Sequence, residues 1–232
     1  MAQAAIERMD GLLARWEPAG DGRCAFLACY TVMTRSMGRE LEADTFHDPV
    51  WVSDLLDRFA DAYFDAVDAY DHDGTPPVPW RMAFDAARGA DLTVLQHLLL
   101  GINAHINFDL VVVLSELLRP TWAGLTEVDR DGRQRDYDEV NRVIARTVGA
   151  VQDDVVEEIA PSLRAVDAVL GPIDEWMATR VLRRWRDRVW SDAVTNAALD
   201  DASRPEHLCR VEARATERAE RILLGGRVAG RP

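Results

Sequence analysis

The sequence contains no lysine, so all 27 of its basic residues are arginines. A lysine amine forms the Schiff base with a carbonyl substrate, and a lysine completes the phosphate-binding P-loop. Both kinds of chemistry are therefore excluded. The chain also lacks a Gly-x-Ser-x-Gly motif, a cysteine next to a histidine and a glycine-rich phosphate loop. The sequence thus offers none of the usual motifs for a nucleophile or a nucleotide site.

Positive charge is scarce, because 27 basic residues stand against 40 acidic ones and the net charge is -13. Nucleic acids and anionic membrane surfaces are bound through basic patches. The charge balance therefore predicts a protein that binds neither, and a small molecule is the expected partner. Association of the chain with itself stays open.

Cysteine is also rare, with only Cys24, Cys29 and Cys209 in the chain. Three is an odd number, and their spacing does not fit a metal site. Reduced, packed thiols are typical of a cytoplasmic protein. The first residues form an amphipathic helical pattern and lack the layout of a signal peptide, so a cytoplasmic location is predicted.

Helical periodicity dominates the chain, and no segment alternates as a strand does. With 48% hydrophobic residues, the sequence predicts one all-α domain over residues 1–232, a bundle of about eight helices around a long buried central helix. Within it we distinguish a core at 20–118, carboxy-terminal helices at 136–224 and a flexible tail at 225–232. Helices are predicted at 4–16, 23–37, 48–70, 80–87, 91–118, 137–160, 162–170, 173–199 and 206–224.

The central stretch, residues 91–118, is the most apolar part of the chain and carries leucine, valine and isoleucine on all sides. Asp91 is its predicted cap, and Arg119-Pro120 is its predicted end. Several polar residues interrupt it. They are His97, Asn103, His105, Asn107, Asp109 and Glu116. Polar groups in its middle disfavour a membrane span, and each needs a partner if the helix is buried.

Plotted at roughly 100° per residue, the polar residues of the central helix form two tracks. His105 and Asp109 lie ~40° apart, and Glu116 falls near the same line. Asn103 and Asn107 lie on roughly the opposite side. One track can therefore exchange protons, whereas the other carries amides.

The first functional hypothesis is acid–base catalysis on a small, largely apolar, oxygenated substrate. His105 takes or gives a proton, and Asp109 or Glu116 orients its ring. The predicted pocket lies between the central helix and the helix that follows Asp48. The residues expected to bind the substrate are Tyr63, Trp80, Asn103, Asn107 and Phe108. Cyclisation, dehydration, isomerisation or hydrolysis would need no cofactor.

Two alternatives remain open at this point. A helical oxygenase or hydrolase could hold iron or zinc on His97, His105, Asp109 and Asp61, although the usual Glu-x-x-His signature is absent. In a non-catalytic binding or scaffold protein, the same polar residues would satisfy one another and tie helices together. Asp61 belongs to a row of aspartates on one helix, and the alternative interpretation of this row is a solvent-exposed face.

The run from Gly101 to Leu110, Gly-Ile-Asn-Ala-His-Ile-Asn-Phe-Asp-Leu, resembles the signature of an actinomycete-rich bacterial family of uncharacterised helical proteins. Further positions match it in order over about residues 20–118, and Asn141 with a tryptophan-rich helix matches loosely beyond. Those positions are Asp21, Gly22, Phe26, Tyr30, Thr34, Phe46, Asp48, Trp51, Phe59, Tyr63, Trp80 and Phe84.

The resemblance implies an all-α fold with a His/Asn/Asp centre and brings no settled activity. Phe108 departs from the pattern, which has a polar or basic residue there. An aromatic ring at this position indicates a more apolar pocket. In a biosynthetic pathway this would suit a hydrophobic substrate, and a cyclase-type enzyme is one such expectation.

Overall fold

The computed structural model describes residues 2–72, 74–89, 92–151 and 175–229, and over these ranges the chain forms eight helices and no strand. The predicted all-α fold is confirmed. The helices are α1 (Ala2–Trp16), α2 (Cys24–Glu42), α3 (Pro49–Asp71), α4 (Val78–Gly89), the central helix (Val94–Trp122), α7 (Glu127–Val151), α8 (Glu175–Ala198) and α9 (Arg204–Ala229). The central helix consists of α5 (Val94–Ala104), a π-helical turn (His105–Asp109) and α6 (Leu110–Trp122).

Helix starts follow from local side-chain chemistry. The Asp48 carboxylate accepts from the Trp51 backbone N–H at 2.9 Å, and Pro49 occupies the first helical position of α3, as predicted. At α5 the cap is Thr93, which forms a reciprocal capping box with Gln96. The predicted cap, Asp91, lies outside the described residues.

Two predicted helix boundaries are wrong. The central helix continues through Pro120 to Trp122, because a proline this close to the end of a helix removes little of the remaining hydrogen bonding. The predicted connection at 121–135 is instead helical from Glu127, so Asp131-Gly132 is not a turn. The predicted helix at 162–170 and the end of the one at 137–160 lie outside the described residues. Helix α9 covers the predicted tail as far as Ala229.

Buried apolar residues form two cores. The first joins α1, α2, the end of α3, α4 and α5, and the second joins the start of α3 to α6, α7 and α8. Helix α9 contributes to both, through Ala219 and Val211. The buried polar residues Asn103, His105 and Asp109 lie between the two cores on the central helix.

The central helix is the one described helix that is long and apolar enough to span a membrane. However, 72% of its most apolar window is buried inside the protein. It therefore serves as the shared wall of both cores, which is the predicted role of a long buried central helix.

Candidate functional site

The π-helical turn places two ionisable side chains against each other. His105 and Asp109 are only 2% and 3% exposed, and the imidazole Nδ1 lies 3.0 Å from the carboxyl Oδ2. A π turn contains one more residue than an α turn, so it is costly and is found mostly at functional sites. The sequence projection that paired these residues is confirmed in its geometry.

Five aromatic rings surround the imidazole, and we call them the aromatic box. They are Phe26, Tyr30, Phe59, Tyr63 and Trp80. The Phe59 ring is stacked on His105 with a centroid distance of 3.5 Å and an interplanar angle of 6°. Tyr30 meets the imidazole edge-on at 4.5 Å. The box removes water from both faces of the ring.

Only one nitrogen of the His105 ring, Nδ1, takes part in the hydrogen bonds around Asp109. The Trp80 Nε1–H donates to Asp109 Oδ2 at 2.7 Å, so this oxygen contacts both the indole and the imidazole. By contrast, His105 Nε2 is buried and has no hydrogen-bond partner among the described residues. The ring is thus oriented through Nδ1 and presents Nε2 to the interior of the box.

Burial favours the neutral form of both partners. Desolvation lowers the pKa of His105 well below its usual range, and the charge of Arg186 lowers it further. Desolvation likewise raises the pKa of Asp109 well above its usual range, against the opposing effect of the Trp80 hydrogen bond. A neutral carboxyl donates its proton to Nδ1, and the ring hydrogen then stays on Nε2. In that arrangement Nε2 carries a hydrogen that no described residue accepts.

The amide track is bound to α9. Asn103 donates to the Ala215 backbone carbonyl at 2.8 Å, and its side-chain oxygen accepts from Asn107 at 3.2 Å. Arg218 donates to the same oxygen at 3.4 Å. These contacts tie the central helix to α9, so the structure places both asparagines away from the imidazole and in a helix–helix contact.

Other predicted site residues are dispersed. Glu116 is exposed and does not lie on the line of His105 and Asp109, so that part of the helical projection is wrong. The extra residue of the π turn rotates everything after Asp109 by roughly 100°. Phe108 is partly buried and packs against the second core.

The residues of the alternative metal site are likewise far apart. His97 lies two helical turns from His105, ~12 Å along the axis, and Asp61 is exposed on α3. Metal–ligand bonds are only about 2 Å long. In the described part of the chain, no three His, Cys, Asp or Glu side chains are grouped for a metal ion.

A cleft opens beside the aromatic box, between the start of α2 and helices α4 and α5. Gly22, Ala87 and His97 line its outer part, and Tyr63 and Trp80 line its floor. It differs from the predicted pocket between the central helix and α3, where Phe59 packs directly on the imidazole. His105 is not among the residues that line the cleft.

Three box residues and one cation were not predicted as site residues. Phe26, Tyr30 and Phe59 are among the positions of the family resemblance, but the sequence does not mark them as site residues. Arg186 is only 4% exposed and lies near enough to His105 to lower the pKa of the imidazole. Its spacing within an arginine-rich helix carried no signal that separated it from its neighbours.

A family described as "Family of unknown function (DUF5995)" matches residues 2–225. No curated protein and no solved structure matches the chain.

Proposed function

The chain belongs to the DUF5995 family, whose function is unknown, and we propose from its geometry that it is a small-molecule enzyme with His105–Asp109 as acid–base centre. Asp109 acts as the orienting group and His105 as the group that exchanges a proton with the substrate. Trp80 positions the carboxyl of Asp109.

One observation carries the proposal: Nε2 of His105 is buried without a described partner while Nδ1 is held at 3.0 Å. Leaving a polar atom buried and unpaired costs about 1–3 kcal/mol. A histidine that only held helices together would gain from pairing both nitrogens. The arrangement instead resembles a base–orienter pair that waits for a substrate atom.

The positions of the two protons on the pair determine which proton transfer it can carry out. The Nε2–H is given to an oxygen of the substrate, and the carboxyl proton of Asp109 moves to Nδ1 in the same step. The imidazole stays neutral, Asp109 becomes a carboxylate, and the substrate carries the positive charge. Reversal of these transfers lets Nε2 act as a base, so one pair serves both halves of a cyclisation, dehydration or isomerisation.

The aromatic box defines the substrate class. Its walls favour a largely apolar molecule, and their π faces also stabilise positive charge on a protonated substrate. Tyr30 is the one partly exposed wall, because the other four rings are at most 8% exposed. Displacement of Tyr30 is the route by which a substrate reaches His105. We include in this proposal that the enzyme acts in biosynthesis, for example by cyclase-type chemistry.

The test is proton exchange with solvent deuterium. An apolar enolisable ketone such as 2-tetralone is incubated with the protein in D2O, and loss of its α-hydrogen signal is followed by NMR. General acid–base catalysis by one side chain contributes about 10²–10⁴-fold, so His105→Gln should reduce the exchange rate by that factor.

The matched control is His207→Gln, because His207 is also buried, at 8% exposure, and its Nε2 also lacks a partner in the described ranges. It lies on α9, away from the aromatic box, and this variant should exchange at the rate of the unmodified protein. Equal exchange by His105→Gln and unmodified protein would contradict the proposal.

A second candidate is a non-catalytic scaffold, favoured by the amide track. Asn103 reaches across to the Ala215 carbonyl, which is a structural contact between helices. If all the buried polar residues of the central helix have this role, His105→Phe should lower the melting temperature. Under the acid–base proposal, this variant also leaves the buried Asp109 without its imidazole partner and should lower the melting temperature as well, so the deuterium-exchange rate of His105→Gln is what separates the two candidates.

A further inference from the structure

The cleft beside the aromatic box contains two orphaned polar atoms. The Tyr63 hydroxyl and His97 Nδ1 are buried and have no hydrogen-bond partner among the residues described. Tyr63 is 0% exposed, and both side chains line the same cleft. Two unpaired polar atoms on residues that line one cleft are the observation from which an occupant can be inferred.

The free volume of the cleft is about 10 Å³. A water molecule needs at least roughly 10–15 Å³ by this measure and two to four polar partners. The free space inside the cleft therefore has room for about one oxygen atom. Its walls are otherwise apolar, with Phe26, Trp80 and Phe84 on the inner side.

The shape of the cleft depends on glycine at its outer edge. A Cβ on Gly22 would lie 3.1 Å from the His97 ring and 3.2 Å from the Ala87 Cα. These distances are tight, so any side chain at this position would press on His97. Gly22 thus keeps the imidazole and α4 close together without filling the space between them.

Charge in the cleft is already balanced. Arg23 is 7% exposed and is paired with Asp21 at 2.7 Å and with Asp71 at 2.9 Å. Burial lowers the pKa of His97, so its ring is neutral near pH 7. A neutral group that both accepts and donates a hydrogen bond fits this environment better than an ion.

We propose that the cleft is a binding site for one hydroxyl oxygen, held between the Tyr63 hydroxyl and His97 Nδ1. The tyrosine donates to this oxygen, and the oxygen donates to the unprotonated ring nitrogen. In the free protein the oxygen belongs to a water molecule. When a substrate is bound, its hydroxyl takes the same position, and this second part rests on the proposed function.

The first experiment compares Tyr63→Phe with Tyr137→Phe. Tyr137 is almost equally buried and donates to the Arg186 backbone carbonyl at 2.9 Å. Loss of its hydroxyl therefore shows how far the melting temperature falls when a buried hydrogen bond is removed. If an oxygen occupies the cleft, both variants should lower the melting temperature by about 2–4 °C. If the cleft is empty, Tyr63→Phe removes an unpaired hydroxyl and raises it, which would overturn the proposal.

The second experiment identifies the source of the oxygen. A high-resolution crystal structure of the free protein should show one density peak within hydrogen-bond distance of Tyr63 and His97, and Tyr63→Phe should weaken or abolish it. The absence of such a density peak would overturn the proposed site.

Crystals soaked in methanol test the second part, because the hydroxyl of methanol should replace the water. If the water stays in place, the proposal that a substrate hydroxyl occupies this position is wrong, but the water-binding site remains. The deuterium-exchange test on His105 is independent, so its failure alone would remove the proposed function and leave the site intact.

Discussion

At the scale of single residues, the buried His105–Asp109 pair controls how the protein responds to pH. Burial lowers the pKa of His105 and raises that of Asp109, so both shifts favour a folded pair with one proton, on Asp109. In the unfolded chain the ordinary pKa values of 6.5 and 3.8 apply. The difference in proton count between the two states therefore changes sign across the pH range.

Between those two values the unfolded chain also holds one proton, on the histidine, so the contribution of the pair to stability is constant. Above pH 6.5 the folded state holds one proton more, and stability falls as pH rises. Below pH 3.8 the unfolded state holds one proton more, and stability falls as pH drops. Each limb has a slope of about 1.4 kcal/mol per pH unit.

Denaturant unfolding across this range tests the prediction. The free energy of unfolding of the double variant His105→Phe, Asp109→Asn is subtracted from that of the unmodified protein, which cancels the other titrating groups. The difference should be a plateau with a fall on each side. A difference that rises steadily from acid to neutral pH would mean that the folded pair holds no proton, with Asp109 ionised beside a neutral His105.

The residues of the site could be predicted only in part from the sequence. His105 and Asp109 were found because charge in an apolar helix needs a partner and because four residues separate them. Phe26, Tyr30 and Phe59 could not be distinguished from ordinary core residues. Their contact with the imidazole depends on how α2 and α3 pack against the central helix, which periodicity within one helix does not reveal.

At the scale of helices, the close approach of α2 and α5 builds one wall of the aromatic box. A Cβ on Gly101 would lie 2.4–2.5 Å from the Phe26 side chain, closer than atoms can approach. Glycine thus lets the Phe26 ring rest directly on the backbone of the central helix.

Gly101→Ala should therefore destabilise the protein by about 1–3 kcal/mol through overpacking and displace Phe26 from His105. Gly38→Ala in α2 is the matched control, since nothing lies within 4 Å of its Cβ position. This control should stabilise the helix by up to about 1 kcal/mol. Thermal unfolding of both variants should give shifts of opposite sign, and equal shifts would contradict the role assigned to Gly101.

The helices themselves were largely predictable, and the exceptions have physical causes. Periodicity and the Asp48-Pro49 cap located α3 to within a residue or two. The projection of Glu116 failed because a constant 100° per residue does not hold across the π turn. Nothing in the sequence of residues 105–109 marks the extra residue of the turn.

At the scale of the whole molecule, α9 is one of the elements that join the two cores. Its Val211 lies in the second core and its Ala219 in the first. It also supplies backbone acceptors for two buried amides of the central helix, at Ala215 for Asn103 and at Ile222 for Gln96.

Removal of residues 204–232 should therefore abolish cooperative unfolding, because it exposes both cores and leaves two buried amides unpaired. Circular dichroism on heating should show a broad, non-sigmoidal loss of helix. Deletion of residues 230–232 alone is the control, since every contact described for α9 is retained. A sharp transition in the longer deletion would show that α9 is dispensable for the fold.

The bond from Asn103 to Ala215 also has a consequence for synthesis of the protein. The central helix leaves the ribosome early, with an amide that is destined for a dry interior and no acceptor yet made. More than a hundred residues must follow before the carbonyl of Ala215 emerges. The nascent chain consequently cannot complete this part of its interior until α9 has been made.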